Sequence, residues 1–255
     1  MSTVLDLFRL DGRVAIVTGA SRGLGASLAL ALAEAGADVA LVARGDLSET
    51  AKAIARAGRK SVSISIDVGQ PNAAEKILSE AQRALGTADI LVNNAGLIRR
   101  GGFVEFSEAD WRDVLDVNLD GPFRLSQHFA RPLLAAKRHG KIINVTSMLS
   151  FQGGVRVASY TAAKSALNGL TKLMANELAP LGINVNALAP GYMATDNTAP
   201  LRADAERNAA ILARIPAGRW GESDDLKGAI VFLASAASNY MHGFTLAVDG
   251  GWLAR

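Results

Sequence analysis

Short runs of β-branched and aliphatic residues recur along the chain: "RVAIVTG" from position 13, "DVALVA" from 38, "SVSISIDV" from 61, "DILVNNAG" from 89, "KIINVTS" from 141, "INVNALAP" from 183 and "FTLAVDGG" from 244. Between them lie longer stretches such as "LGASLALALAEAG" and "GQPNAAEKILSEAQRALG", with apolar residues at helical spacing and charge on the outer positions. Runs that are apolar on both faces and joined by helices predict a parallel sheet covered on both sides, with right-handed crossovers. The expected fold is α/β: a doubly wound, seven-stranded parallel sheet with helices on both faces. No linker, composition shift or fixed-period repeat divides the chain, so 1–255 is expected to form a single domain. The segment 191–222 breaks the rhythm with a polar, proline-punctuated excursion, as a lobe covering a cleft does.

Composition narrows the field. The chain has 255 residues, 49% of them hydrophobic, enough for one large core. Its 27 basic and 24 acidic residues form no block of like charge, so nucleic acid and acidic membrane surfaces are not indicated as partners. With no cysteine, disulfides, thiolate ligands and cysteine nucleophiles are excluded, and no metal is expected. His128, His139 and His242 fall in no nucleophile or metal spacing and are read as structural. The start lacks a leader-like pattern, and no apolar run is long enough to span a bilayer, so a cytoplasmic protein is expected.

"TGASRGLG" at 18–25 follows the first predicted strand and opens a predicted helix, the context in which glycine spacing gains meaning. Gly19 permits a tight turn, Gly23 lets the backbone approach a pyrophosphate, and Gly25 lets the helix pack close to the strand. The helix N-terminus then faces the anion. The spacing is Gly-x-x-x-Gly-x-Gly, not Gly-x-Gly-x-x-Gly, which indicates a dinucleotide site of a different family from the two-domain dehydrogenases. Farther along, "SYTAAKSAL" places Tyr160 and Lys164 one helical turn apart.

These features, with "NNAG" at 93–96, Asn118 in "LDVNLDG", Ser147 in "VTSMLS" and "PGYMAT" at 190–195, resemble the short-chain dehydrogenases/reductases over essentially the whole chain. The resemblance implies a Rossmann-like fold and a nicotinamide cofactor. It implies cofactor contacts at Gly19, Ser21, Arg22, Gly23, Leu24 and Gly25, at Asp67 and Val68 beside the adenine, and at Asn94, Ala95 and Gly96. Pro190, Gly191, Met193 and Thr195 follow, with Thr195 meeting the nicotinamide amide. It assigns catalysis to Asn118, Ser147, Tyr160 and Lys164: Tyr160 exchanges a proton with the substrate oxygen, Ser147 donates a hydrogen bond to it, Lys164 holds the ribose hydroxyls, and Asn118 positions a water. A free phenol has a pKa near ~10, and an ammonium one turn away is expected to lower it. Thr146 and Ser150 compete with Ser147 for the hydroxyl role, and Ser147 could be a strand-end cap.

At the end of the second strand the residues read "LVARGD", with Ala43 at the position where an acid grips the NAD ribose and Arg44 just beyond. Arg44 and Arg22 favour NADP; Asp46 could swing in and favour NAD. Several segments, among them "NNAGLIRR", "SMLSFQGGVRVASYTAAKS" and "AVDGGWLAR", resemble the family's sugar-acid branch, which acts on 2-dehydro-3-deoxy-D-gluconate or 2-deoxy-D-gluconate in pectin and uronate breakdown and generally favours NAD. The cofactor is therefore read as NAD or NADP. A sugar acid calls for a guanidinium, and Arg99, Arg100 and Arg156 lie at the expected mouth, with Gln152 available to a hydroxyl and Tyr192 expected to line the substrate pocket. A reductase of another carbonyl, such as a 3-oxoacyl thioester, and a non-catalytic dinucleotide-binding regulator are the alternatives. The family resemblance also implies a homotetramer built on the helices around 107–137 and 158–179 and on the C-terminal tail.

Overall fold

The computed structural model describes residues 3–255; Met1 and Ser2 of the expected domain lie outside the described residues. Strands β1 Val14–Thr18, β2 Asp38–Ala43, β3 Ser61–Ser65, β4 Ile90–Asn93, β5 Gly140–Val145, β6 Ile183–Pro190 and β7 Thr245–Val248 form one sheet in the order β3-β2-β1-β4-β5-β6-β7. Every neighbouring pair is parallel. The chain starts in the middle, winds outward to β3, then crosses back to lay β4 against the other side of β1. At that reversal the connections leave β1 and β4 toward opposite faces and open a crevice at the carboxyl ends of the strands.

The predicted runs are strands because they can be buried on both sides. Successive residues point to opposite faces. Ala15 and Val17 of β1 and Leu41 of β2 pack with helices α1 Gly23–Glu34, α2 Ser48–Arg56 and α9 Lys227–Ala234 through Leu28, Leu32, Ile54, Ile230 and Leu233. Val14, Ile16 and Val42 face the other layer, where α3 Ala73–Leu85, α5 Gly121–Ala135 and α6 Ala158–Leu178 supply Ile77, Phe129, Leu133 and Met174. Each such fully buried aliphatic or aromatic side chain contributes about 1.5–3 kcal/mol. Helix α4 Glu108–Leu115 runs through a wide π-type turn, Asp116–Asp120, into α5.

After β6 the chain leaves the sheet through 191–198, forms α7 Ala199–Ala203 and α8 Ala205–Arg214, and returns to α9. This excursion carries a small core of its own. Ile211 and Ile215 pack with Met148 from the β5–α6 connection and with Trp252 near the C-terminus, and Tyr192, Leu201 and Trp220 close around them. The expected excursion is thus a helical lobe anchored on the far end of the chain.

Candidate active site

The turn after β1 is shaped by contact with the turn after β4. Gly19 has φ +69°, the left-handed region that glycine adopts without strain. A Cβ on Gly25 would stand 2.5 Å from Asn94 Nδ2 and would also overlap the Gly19 carbonyl, so only glycine lets α1 start this close to the strand ends. Thr18, which the motif reading passed over, stitches the two turns. Its Oγ1 accepts from the Asn94 and Ala95 amides at 3.0 Å each, while Asn94 Nδ2 donates to the Thr18 carbonyl at 2.8 Å. Gly23 opens α1, and a Cβ there would meet nothing nearer than Thr195 Cγ2 at 3.9 Å, which leaves the helix N-terminus facing open space.

That space is a cleft of about 690 Å³. Gly19, Ser21, Arg22, Gly23, Leu24, Gly25, Arg44, Asp67, Val68, Asn94, Ala95, Gly96, Pro190, Gly191, Met193 and Thr195 all line it, together with Ser147, Tyr160 and Lys164. The cleft has the size and the glycine-walled floor that a dinucleotide requires, with an anion-seeking helix end in its wall. Ile98, Val117, Asp196, Asn197 and Thr198 also line it and were missed, as does Thr146, named only as a rival of Ser147. Their only sequence signal is adjacency to the named motifs.

Three hydroxyls competed for the role beside Tyr160, and the hydrogen bonds separate them. Thr146 Oγ1 donates to the Leu188 carbonyl at 3.2 Å, and Ser150 Oγ donates to the Lys164 carbonyl at 2.8 Å, so both serve the backbone. The Ser147 hydroxyl shares the cleft wall with Tyr160 and acts to hold the phenol pKa down against burial. Its Oγ also accepts from the Leu149 amide at 3.2 Å, capping the turn Met148–Ser150, so the cap reading and the chemical reading hold together.

Lys164 lies on the Tyr160 side of α6, with Nζ 5.8 Å from the ring centroid, and donates to the Val145 carbonyl at 2.7 Å. Burial without an acidic partner brings its pKa down to about 8. The expected lowering of the phenol by this ammonium is corrected here. Burial pushes Tyr160 up from its ordinary value, and the opposing influences are the Ser147 hydrogen bond and the charge of Arg100. Although Tyr160 keeps part of its surface exposed, dense protein surrounds its hydroxyl.

Asn118 is fully buried in the π-type turn, and its amide clamps the exit of β4: Oδ1 accepts from the Leu97 amide at 2.9 Å and Nδ2 donates to the Leu97 carbonyl at 3.0 Å. Asp46 also lines the cleft, with its carboxylate accepting from the Ser48 amide and hydroxyl at 2.9 and 2.8 Å. Arg44 lines the cleft at the end of β2 and pairs with Asp67 at 3.3 Å, whose other oxygen accepts from the Gly69 amide.

The residues expected at the substrate mouth are dispersed. Arg99 is tied to Asp113 at 2.5 Å and approaches Asp110 at 3.5 Å. Arg100 donates to the Asn197 carbonyl at 3.2 Å and is close enough to act on Tyr160. Arg156 adopts φ +63°, and its carbonyl accepts from the Gly101 amide. Tyr192 packs edge-on against Trp220 and Trp252, with ring centroids 5.5 and 4.7 Å away. Gln152 accepts from Arg214 Nη2 at 3.0 Å, a partner the sequence did not suggest.

The comparisons with known proteins agree with this geometry. A family model described as enoyl-(acyl carrier protein) reductase matches residues 19–253. The chain is 54% identical over 252 residues to 2-dehydro-3-deoxy-D-gluconate 5-dehydrogenase of Escherichia coli K12, covering 99% of this chain and 100% of the relative. A solved structure from Agrobacterium tumefaciens, provisionally assigned as 2-deoxy-D-gluconate 3-dehydrogenase and holding NADP, superposes with a TM-score of 0.94 at 58% identity, covering 98% of this chain and 100% of that one. Another, provisionally assigned as an NAD(P)-dependent gluconate 5-dehydrogenase from Beutenbergia cavernae with NADP at low occupancy, gives 0.93 at 49% identity, covering 98% and 100%. A parallel seven-stranded sheet, a glycine-walled cleft at its switch point and a Ser147–Tyr160–Lys164 group on that cleft place the chain in the short-chain dehydrogenase/reductase family.

Proposed function

We propose that the protein is a nicotinamide-dependent dehydrogenase that interconverts a secondary alcohol and a ketone on a sugar acid of the 2-dehydro-3-deoxy-D-gluconate or 2-deoxy-D-gluconate type. The observation that carries this reading is that Ser147, Tyr160 and Lys164 meet on the wall of the glycine-floored cleft, with Lys164 Nζ 5.8 Å from the Tyr160 ring. A binding module that only senses dinucleotide needs no such group. The dinucleotide, when bound, accepts or delivers the hydride. Tyr160 Oη then passes a proton to or from the substrate oxygen, and Ser147 Oγ donates a hydrogen bond to that oxygen as charge develops on it. With its phenol held protonated by burial, Tyr160 is set as a proton donor at neutral pH, and the Arg100 charge moderates the cost of the opposite transfer. Lys164 and Asn118 fix the walls around them.

Arg44 and the NADP held by the two related structures support NADP as the preferred cofactor. The lobe at 191–222 is read as a cover over the substrate. Exposed Phe123 on α5, Leu173 on α6 and Phe244 beside β7 support a homotetramer, which we place in the cytoplasm.

The test follows absorbance of the reduced nicotinamide with a panel of sugar acids, each offered with both dinucleotides. Oxidation of a deoxy- or dehydro-gluconate, with kcat/KM about tenfold or more higher for NADP, is expected. Turnover of a 3-oxoacyl thioester in preference to every sugar acid would replace the reading with the runner-up.

A further inference from the structure

A carboxylate is held best by a guanidinium that is already oriented and not already neutralised. Around the cleft and its lobe, Arg22 approaches Asp196, Arg44 approaches Asp67, Arg99 binds Asp113, and Arg219 takes both oxygens of Asp225. Arg100 and Arg202 donate to main-chain carbonyls, those of Asn197 and Thr195. Arg214, at the last position of α8, is set apart by an aromatic ring beneath it. Its guanidinium lies over the Trp252 ring, with Cζ 4.0 Å from the centroid, and one Nη2 donates to Gln152 Oε1 at 3.0 Å. Both partners are neutral, so the positive charge is oriented without being spent. A guanidinium has five N–H donors, and stacking on an indole leaves those in its plane available.

The supports of Arg214 lead back to the reacting centre. Gln152 is carried by the connection that begins with Ser147, its main-chain N–H donating to the Met148 carbonyl at 3.2 Å. Trp252 packs against Tyr192, which stands between the cleft-lining residues Gly191 and Met193. From behind, Arg255 Nη2 donates to the Ala213 carbonyl at 2.8 Å and Nε to the Arg214 carbonyl at 3.3 Å, fixing the end of α8 to the C-terminal tail.

We infer that Arg214 is the residue that binds the carboxylate of the substrate, with Gln152 beside it presenting its amide NH2 to a hydroxyl. This rests on the proposed sugar-acid reading and names its specificity determinant. The carboxylate enters between the lobe and the Ser147 connection, which directs the carbon chain toward Tyr160. Arg100, held by the Asn197 carbonyl at 3.2 Å, is the competing guanidinium at the mouth.

The experiment compares wild type with R214M, R214K and R100M, using the best sugar acid of the panel and its uncharged methyl ester, and measures acid binding to the enzyme–dinucleotide complex by calorimetry. R214M is expected to weaken acid binding and raise its KM about ten- to a hundredfold with kcat changed far less, R214K to recover part of the loss, and dinucleotide binding to stay at the wild-type level. Ester kinetics, where the ester turns over, should be unmoved. An unchanged acid KM and affinity in R214M, an equal loss for acid and ester, or an acid-selective KM effect in R100M alone would each overturn the inference. Wild-type enzyme that turns over no sugar acid is a separate outcome and removes the proposed function itself.

Discussion

At the floor of the cleft, Gly19, Gly25, Asn94 and Thr18 meet through main-chain contacts and hydrogen bonds, all at the carboxyl ends of paired strands. At its mouth, Arg99, Arg100 and Arg214 are exposed, and each is held by a partner from another segment of the chain. The floor is stiff because strand register and close packing leave one arrangement, and its chemistry is set by burial: Tyr160 pushed up, Lys164 brought down to about 8. The mouth works by charge in water, where a guanidinium matters only if no nearby carboxylate has already claimed it. The proposed function therefore assigns dinucleotide chemistry to the floor and substrate choice to the mouth.

The largest effect should come from the floor. Tyr160→Phe removes the transferable proton and is expected to lower kcat by about 10²–10⁴-fold while dinucleotide binding, read by fluorescence of the reduced nicotinamide, persists. Wild-type turnover in this variant would end the assignment of Tyr160.

A second effect concerns pH. Lys164 ionises at about 8 in the folded chain and near ~10.4 when unfolded, so between those values the unfolded state binds more protons and stability rises with pH. Below pH 8 the full penalty of the buried ammonium, on the order of 3 kcal/mol, is present. Lys141, also brought down to about 8 by burial, adds a contribution of the same sign. Denaturant titrations of the dinucleotide-free protein at pH 7.5 and pH 9.5 should show Lys164→Met flattening this rise. An equally steep rise in that variant would mean that Lys164 is not the source.

The smallest effect belongs to the mouth. Arg99→Met breaks exposed pairs with Asp113 and Asp110 and is expected to cost under about 1 kcal/mol, with no change in KM for the sugar acid. A tenfold rise in that KM would make Arg99 a substrate residue and erase the contrast drawn between it and Arg214.

Much of the floor was legible in the chain because its determinants are local. A run such as "DILVNNAG" both forms the strand and ends in the residues that meet the glycine turn. Tyr160 and Lys164 share a helix face by spacing alone. Their electrostatics were not legible, since whether an ammonium lowers a phenol depends on how much protein surrounds both groups, and here burial dominates. Ser147 could be told from Thr146 and Ser150 only when the carbonyls of Leu188 and Lys164 were seen to occupy the other two.

The amino-acid sequence by itself determined the alternating elements, the parallel sheet, the glycine turn and the tyrosine and lysine one helical turn apart, because hydrophobic period and residue spacing act within a few turns of chain. Tertiary structure decided which arginines are free. Arg99 and Arg214 look alike in sequence, yet one is neutralised by Asp113 and the other is laid on Trp252, and such partners are chosen by how distant segments pack.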